Sequence, residues 1–345
     1  MSTNCGNSVA KTHTSMKMTT SKIPLLIFCG WGHSATTPFY YTVALDNKGF
    51  HSGHRKETGY LNELEFYEYF NKPMWSYASV DPYERLLGED DPNTPPSLNK
   101  HSPYTRHSEE FIRDWIAEPP SIEKYINYYK IHYENIKDDY YGVCDFTNSN
   151  SWLREPFLDK YIPILQEHFD IKCIFVARDP VRRSYSDFCA KFFGNDPAGR
   201  WLKKGQIYPD LPAEKIYTDI KELFRGELPK SCTRFYVEFY QKWKKYVPTL
   251  QLIMEEFWEP SRFEEQTKKV SDFLGYPITK IHENAFWPEA SDKAPRYDYL
   301  KDQWGSVKEP LTPELYEYGK NVLFPVYKAW KDEFGVLPNT WGEFI

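Results

Sequence analysis

The sequence lacks several features that would place it quickly in a class of protein. Its six cysteines form no C-x-x-C pair and show no spacing typical of a zinc site. Cys29, Cys144 and Cys173 fall in short apolar runs, where a thiol behaves as a small hydrophobic group. No apolar run approaches the roughly 18 residues of a membrane span, and the N-terminus lacks the hydrophobic region of a signal peptide. We therefore expect a soluble protein in a reducing, cytoplasmic environment.

An excess of positive charge is also missing. The chain has 43 Lys and Arg against 49 Asp and Glu, which gives a formal net charge of −6. A general nucleic-acid binder needs a broad basic face, so no nucleic-acid partner is expected. A few local donors can still bind an anionic small molecule. Aromatic residues are abundant, at 18%, and they fit either ordinary core packing or a cleft whose rings stack on bases or sugars.

Short apolar runs alternate with helical patterns along most of the chain. This alternation predicts an α/β fold in three layers, with a central parallel sheet flanked by helices. The predicted strands are 24–30, 141–146, 171–177 and 250–256, with a short second strand or extended loop in 47–57. One predicted helix begins at Pro38. The others cover 61–70, 107–117, 121–137, 154–168, 261–275 and 312–334.

The composition suggests one domain with two irregular parts. Residues 1–22 are rich in Ser, Thr, Asn, Lys and Met, which predicts a disordered tail. Residues 23–345 are expected to form a single domain with a Pro-rich, irregular insertion around 76–106. Loops 30–37, 145–151 and 178–186 each follow a predicted strand. Ligands in such folds bind where loops meet at the carboxyl ends of the strands.

The first of these loops has the composition of a phosphate cradle. Gly30, Gly32 and the run from Ser34 to Thr37 supply small residues ahead of a helix, so that backbone N–H groups can approach anionic oxygens. It is not a Walker A loop, because no G-x-x-x-x-G-K-[ST] run is present. Gly30-x-Gly32-x-x-Ala35 half matches a dinucleotide fingerprint, although no acidic residue stands about 20 positions later. A strand-to-helix turn without any ligand also fits.

The loop 178–186 narrows these alternatives. Arg178 follows a strand, Pro180 makes a turn, and Arg183 and Ser186 lie in the predicted helix that follows. An arginine at the strand end and a serine on the first helical turns can converge on one phosphate, which the guanidinium fork binds well. Cations are disfavoured at a helix N-terminus, so their presence there favours an anionic partner.

In these residues the sequence resembles the sulfotransferases that use 3′-phosphoadenosine 5′-phosphosulfate (PAPS). Their second motif, R-x-P-x-x-R-x-x-S, matches Arg178, Pro180, Arg183 and Ser186 at all four fixed positions. Their first motif, a strand followed by P-K-x-G-T-T, resembles the segment from Gly32 to Thr37. Weaker similarities in "RKETGYL", "GVCDFTNSNSW" and "LQLIMEEFWEPSRFEEQTKKVSDFLG" extend the resemblance over about residues 24–280.

The resemblance implies a P-loop-like fold and transfer of a sulfuryl group from PAPS to an acceptor hydroxyl or amine, with 3′,5′-adenosine bisphosphate (PAP) as product. It implies no metal. The acceptor is expected to be a carbohydrate or another polyhydroxylated molecule. The implied nucleotide-binding residues are Gly32, His33, Ser34, Ala35, Thr36 and Thr37 for the 5′-phosphosulfate, and Arg178, Ser186, Lys293 and Arg296 for the 3′-phosphate.

Two residues carry the implied catalysis. His33 stands where the family has lysine, and phosphate oxygens nearby would raise its pKa from the ordinary value of about 6.5. Glu57 matches the glutamate that, in the carbohydrate branch of the family, removes the proton from the acceptor. His54 is a second candidate for this base. His51 and His54 also fit solvated loop residues. Two alternatives remain: a nucleotide or dinucleotide enzyme of another type, and a catalytically silent, sulfotransferase-like binding protein.

Overall fold

A computed structural model describes six segments of the chain: 22–30, 39–53, 58–71, 119–184, 235–281 and 313–342. Five strands in these segments form one parallel sheet in the spatial order β2–β3–β1–β4–β5. The strands are β1 (Ile23–Gly30), β2 (Phe50–His51), β3 (Gly142–Asp145), β4 (Phe169–Ala177) and β5 (Thr249–Ile253).

Strand β1 is the centre of the sheet. It pairs with β3 on one side, where Leu25 is opposite Val143, and with β4 on the other, from Ile23–Phe169 to Gly30–Val176. Seven of its eight residues are buried. A strand covered on both faces needs a continuous apolar run rather than alternation, and "IPLLIFC" supplies it.

Seven helices of ten residues or more lie around the sheet in the described segments. They are α1 (Tyr60–Phe70), α2 (Ile122–Ile136), α3 (Glu155–His168), α4 (Tyr236–Tyr246), α5 (Phe263–Leu274), α6 (Pro313–Val322) and α7 (Phe324–Phe334). Shorter helical pieces are the π-helical Tyr41–Asp46, the four-residue Met254–Phe257, and the 3₁₀ turns Asn148–Trp152, Pro260–Arg262 and Asn339–Trp341. A helix also begins after β4, at 180–184.

Helices cover both faces of the sheet. Leu25, Ile27 and Cys29 of β1 pack into a core shared with α1–α4, α6 and α7. Leu26 and Phe28 point the other way, into a core shared with the π-helical segment and α5. This alternation is the two-residue period of a strand. The expectation of a central parallel sheet flanked by helices is confirmed.

Several predictions of local structure need correction. The predicted strand 250–256 ends at Ile253, and the next four residues are helical. The predicted helix 312–334 is two helices separated at Leu323, because Pro325 in the first turn of α7 has no N–H to continue a preceding helix. His51 is a buried residue of β2, not a solvated loop residue.

The predicted tail up to residue 21, the insertion around 76–106 and the helix 107–117 lie outside the described residues. Among the residues that are described, no helix has both the length and the apolar character required to cross a membrane.

Candidate functional site

The order of the strands puts a topological switch point at the carboxyl ends of β1 and β4, where parallel α/β sheets form a crevice. These strands are neighbours, yet the chain leaves β1 toward β2 on one side of the sheet and leaves β4 toward β5 on the other. Connections that diverge in this way leave an opening between adjacent strands, which is where parallel α/β sheets bind ligands. Gly30 pairs with Val176, so the segments that begin at residues 31 and 178 leave the same edge of the sheet side by side.

Arg178 is the one predicted site residue within the described ranges. It lies directly after β4, at this edge, with a side chain that is 20% exposed. The other predicted site residues lie outside these ranges, and their roles stay predictions: Gly32, His33, Ser34, Ala35, Thr36, Thr37, Glu57, Ser186, Lys293 and Arg296, together with the second candidate base His54.

A partly buried carboxyl group lies beside Arg178. Glu255, just after β5, has its Oε1 atom 3.9 Å from Nε of Arg178. The same oxygen accepts a 3.0 Å hydrogen bond from the backbone N–H of Asp179, and Oε2 accepts one of 3.2 Å from the indole of Trp341. Burial raises the pKa of Glu255, and the nearby Asp179 raises it further. Glu255 therefore joins the end of β4 to the C-terminal part of the described chain and adds negative charge next to the guanidinium.

Asp179 fixes the turn that follows Arg178. Its Oδ1 atom accepts a 2.8 Å bond from the backbone N–H of Arg182, and so caps the helix that begins at Pro180. Its Oδ2 atom lies 2.7 Å from the hydroxyl of Tyr316 and 3.2 Å from that of Tyr327. Asp179 is fully buried, which raises its pKa, while these hydrogen bonds oppose the rise. The turn is thus held by α6 and α7, far along the sequence.

The loop after β3 contributes a second buried carboxyl group. Asp145, the last residue of β3, accepts hydrogen bonds of 3.1 Å from the hydroxyl of Tyr125 and the backbone N–H of Thr147. Burial is the main cause that raises its pKa. Thr147 accepts a 2.9 Å bond from the backbone N–H of Gly59. The described chain resumes at Thr58, so the residues directly after the predicted base Glu57 contact the carboxyl end of β3.

Helix α4 holds this loop next to β1. The Lys242 ammonium donates to the carbonyl oxygens of Ser151, at 2.7 Å, and Leu153, at 2.6 Å. Burial lowers the pKa of Lys242 to about 8. The Ser151 hydroxyl in turn donates to the carbonyl oxygen of Gly30, at 3.1 Å. The last residue of β1 is therefore two contacts away from a largely buried cation.

Asn150 is an unusual member of the same loop. Its side chain is fully buried, and within the described part of the chain neither amide atom has a hydrogen-bond partner. The amide lies near enough to Asp145 to lower the pKa of that carboxyl, but without hydrogen-bond geometry. Such groups are rare in folded proteins and are often found where a water or a ligand completes the bonding.

The sequence motif singles out Arg178, whose role stays a prediction, but not the residues that position it in the structure. Asp179-Pro180 is a recognisable helix start, a capping residue followed by proline at the first helical position. Glu255 and Lys242 gave no comparable signal, because their contacts join positions 76 or more residues apart.

The residues described here contain no group of three or more His, Cys, Asp or Glu side chains that could hold a metal ion. No protein-family model, curated protein or solved structure matches the chain.

Proposed function

We propose that the chain is a PAPS-dependent sulfotransferase that acts on a carbohydrate or another polyhydroxylated acceptor. One observation carries the proposal. The central strands β1 and β4 are parallel neighbours paired as far as Gly30–Val176, so the phosphate-cradle loop and Arg178 start from adjacent points at the crevice. A nucleotide phosphorylated at both ends needs two anion-binding segments of this kind on one edge.

The surroundings of Arg178 fit a phosphate ligand. The side chain is partly exposed at the edge of the sheet, and its Nε atom lies 3.9 Å from Glu255, which is longer than a hydrogen bond. A phosphate at this edge would add a charge-assisted contact to the partly exposed guanidinium, beside Glu255. Ser186, Lys293 and Arg296 would complete this end of the site.

Sulfuryl transfer requires in-line placement, a base and positive charge near the leaving group. The acceptor oxygen forms the new bond to sulfur as the bond from sulfur to the bridging phosphate oxygen breaks, and PAP leaves with the electron pair. Glu57 would take the acceptor proton. Protonated His33, with the backbone N–H groups of the first loop, would stabilise the charge that develops on the leaving phosphate.

Thermal unfolding with nucleotides tests the proposal. Saturating PAP should stabilise the protein by RT ln(1 + [L]/Kd), about 2.7 kcal/mol at a hundredfold excess over Kd. AMP, ATP and NAD should stabilise it far less, since they lack the 3′-phosphate. Stabilisation by NAD or ATP instead of PAP would favour a nucleotide enzyme of another type. A shift with PAP but no transfer of labelled sulfate from PAPS to any acceptor would favour a silent binding protein.

Replacing Arg178 separates its role from general electrostatics. We expect Arg178→Ala to weaken PAP binding at least tenfold, because a charge-assisted, bidentate contact is lost. Arg182 lies one turn away and is exposed, so Arg182→Ala removes the same charge as a matched control and should leave PAP affinity nearly unchanged. Equal losses in the two variants, measured by titration calorimetry, would count against a specific contact with Arg178.

His33 gives a second kinetic test. His33→Ala should lower kcat at least tenfold with a smaller effect on PAP affinity, because the imidazolium acts mainly on developing charge. His33→Lys should retain activity to higher pH than the native enzyme, since lysine stays protonated there. Unchanged turnover in His33→Ala would remove this residue from the mechanism.

A further inference from the structure

A groove with a volume of about 470 Å³ lies where α1 faces the segment between β3 and α3. We call it the aromatic groove. Its size is in the range of small-molecule sites, roughly 300–1,000 Å³. The residues that matter for its chemistry are Asn62, Glu65, Tyr69, Phe70, Ser149 and Arg154.

One side of the groove presents rings to solvent. Tyr69 is 65% exposed and Phe70 is 51% exposed. Their rings meet edge to face at 4.6 Å, and Phe66 packs behind Phe70 at 4.5 Å. The guanidinium of Arg154 lies over the ring of Tyr69, 4.5 Å from its centroid. Contacts of this kind hold the rings in place, so they form a prepared apolar surface rather than scattered exposed residues.

The remaining lining of the groove is polar and electrically balanced. Arg154 donates to Oε1 of Glu65 from its backbone N–H, at 3.0 Å, and from Nε, at 2.9 Å. Asn62 and Ser149 exchange two bonds: the amide donates to the Ser149 carbonyl at 2.9 Å, and the Ser149 hydroxyl donates to the amide oxygen at 2.8 Å. These bonds use Nε of Arg154 and Oε1 of Glu65, so the Nη groups and Oε2 can serve a ligand.

The groove adjoins the crevice at the end of β1. Ser149 belongs to the same 3₁₀ turn as Ser151, whose hydroxyl donates to the carbonyl oxygen of Gly30. α1 begins at the same edge, since Gly59 at its start donates to Thr147. The polar end of the groove is therefore close in the chain to the contact with Gly30, the last residue of β1, at the edge where an acceptor would have to reach the sulfuryl group.

We propose that the aromatic groove binds the acceptor, and that this acceptor is an uncharged sugar. That the sugar is the acceptor rests on the proposed sulfotransferase function. That the groove binds a sugar does not depend on it. Sugar rings have C–H faces that pack against aromatic rings and hydroxyl groups that both donate and accept hydrogen bonds. The groove matches both properties, and the Glu65–Arg154 pair leaves no net charge for an anionic or cationic ligand.

Saturation-transfer difference NMR tests the groove without any nucleotide. The probes are the methyl β-glycosides of glucose, galactose and N-acetylglucosamine, with glucuronic acid and a short aromatic peptide as comparisons. We expect saturation of the ring C–H protons of at least one neutral glycoside, because these protons would lie against Tyr69 and Phe70. Signals from glucuronic acid or the peptide alone would overturn the proposal.

Variants of exposed residues connect the signal to the groove. Tyr69→Ala and Phe70→Ala should each weaken glycoside binding at least tenfold, and Arg154→Lys should weaken it while keeping the charge. Phe324→Ala is the matched control, since Phe324 is 48% exposed and is not one of the residues that line the groove. Unchanged binding in the groove variants would refute the assignment. Because PAP-induced stabilisation is measured separately, loss of glycoside binding with a normal PAP response would leave the sulfotransferase proposal intact.

Discussion

We expect Asp179→Ala to lower the free energy of unfolding by about 3 kcal/mol, because it removes a buried group that several partners share. The carboxylate caps a helix through Arg182 and bonds with the hydroxyls of Tyr316 and Tyr327. Alanine removes the acceptor that these donors share, and of the two hydroxyls that of Tyr316 keeps the carbonyl oxygen of Trp341, at 3.1 Å, as a second acceptor. Part of the loss is offset, because the variant no longer has to bury a carboxylate. The energies of the three hydrogen bonds should therefore not be summed. Urea denaturation at pH 7 measures the change.

Asp159 supplies a matched control for this prediction. It accepts a 2.8 Å bond from the Tyr246 hydroxyl, but both groups are exposed, so Asp159→Ala should cost less than 1 kcal/mol. Tyr327→Phe keeps the ring and removes one donor to Asp179, so it should cost about 1 kcal/mol. Similar losses for Asp159→Ala and Asp179→Ala would show that the buried cluster does not stabilise the fold as described.

The Asp179 variant also bears on the site. Its backbone N–H donates to Glu255, and Glu255 lies next to Arg178. Loosening the turn should misplace Arg178 without removing it. If the variant still folds, it should bind PAP more weakly the more the turn is disordered. This loss is expected although every residue predicted to contact a phosphate is still present.

Acidification should also destabilise the protein, through a buried histidine pair. Nδ1 of His51 lies 2.8 Å from Nε2 of His132 and accepts a 3.1 Å bond from the backbone N–H of Gly53. Since Nδ1 of His51 accepts, the proton between the rings belongs to His132. Burial lowers the pKa of His51 from 6.5 to about 3. Protonation of Nδ1 of His51 would direct its N–H group at the N–H group on Nε2 of His132.

The direction of the effect follows from these pKa values. Between pH 6.5 and 3 the unfolded chain binds a proton at His51 and the folded chain does not, so stability is fully present above 6.5 and is lost as the pH falls. The slope of about 1.4 kcal/mol per pH unit gives a loss of about 2 kcal/mol from pH 6.5 to pH 5.

Buried carboxyl groups contribute in the opposite direction. Burial raises the pKa values of Asp145, Asp179 and Glu255, so their protonation in the folded state favours folding as the pH falls. The histidine contribution is therefore isolated by comparing the native chain with His51→Gln in denaturant titrations at pH 7 and pH 5. Between pH 7 and pH 5 the free energy of unfolding of His51→Gln should fall by about 2 kcal/mol less than that of the native chain. Equal losses in both proteins would contradict the assignment to His51, and His51→Asn repeats the comparison if His51→Gln does not fold.

Much of the central sheet could be predicted from the sequence. The runs at 24–30 and 171–177 are short, apolar and bounded by glycine or polar residues, and such runs predict strands buried on both faces. The helix 261–275 was equally clear, because a glycine follows its helical pattern. In the structure Gly275 takes a positive φ of 72° and ends α5. Local patterns were sufficient where one segment alone determines its own conformation.

The missed features depend on contacts between distant segments. Helix α4 was not predicted, although Trp243 is fully buried in the core and Lys242 supports the loop after β3. Position 254 continues an apolar run, but the chain leaves the sheet there and turns into a helix. The same limit applies to the candidate site. R-x-P-x-x-R-x-x-S marks Arg178 locally, whereas Tyr316 lies 137 positions from the carboxylate it contacts.

The central position of β1 has a consequence for synthesis and folding. Ile23 pairs with Phe169, and Leu25 pairs with Val143, so this strand has no partner until well over a hundred further residues have been made. At about 5–20 residues per second the delay lasts several seconds or more. During that time an uncharged β-prone run is exposed, which is a composition that promotes aggregation. We therefore expect newly made chains to be most prone to aggregation before β3 and β4 pair with β1.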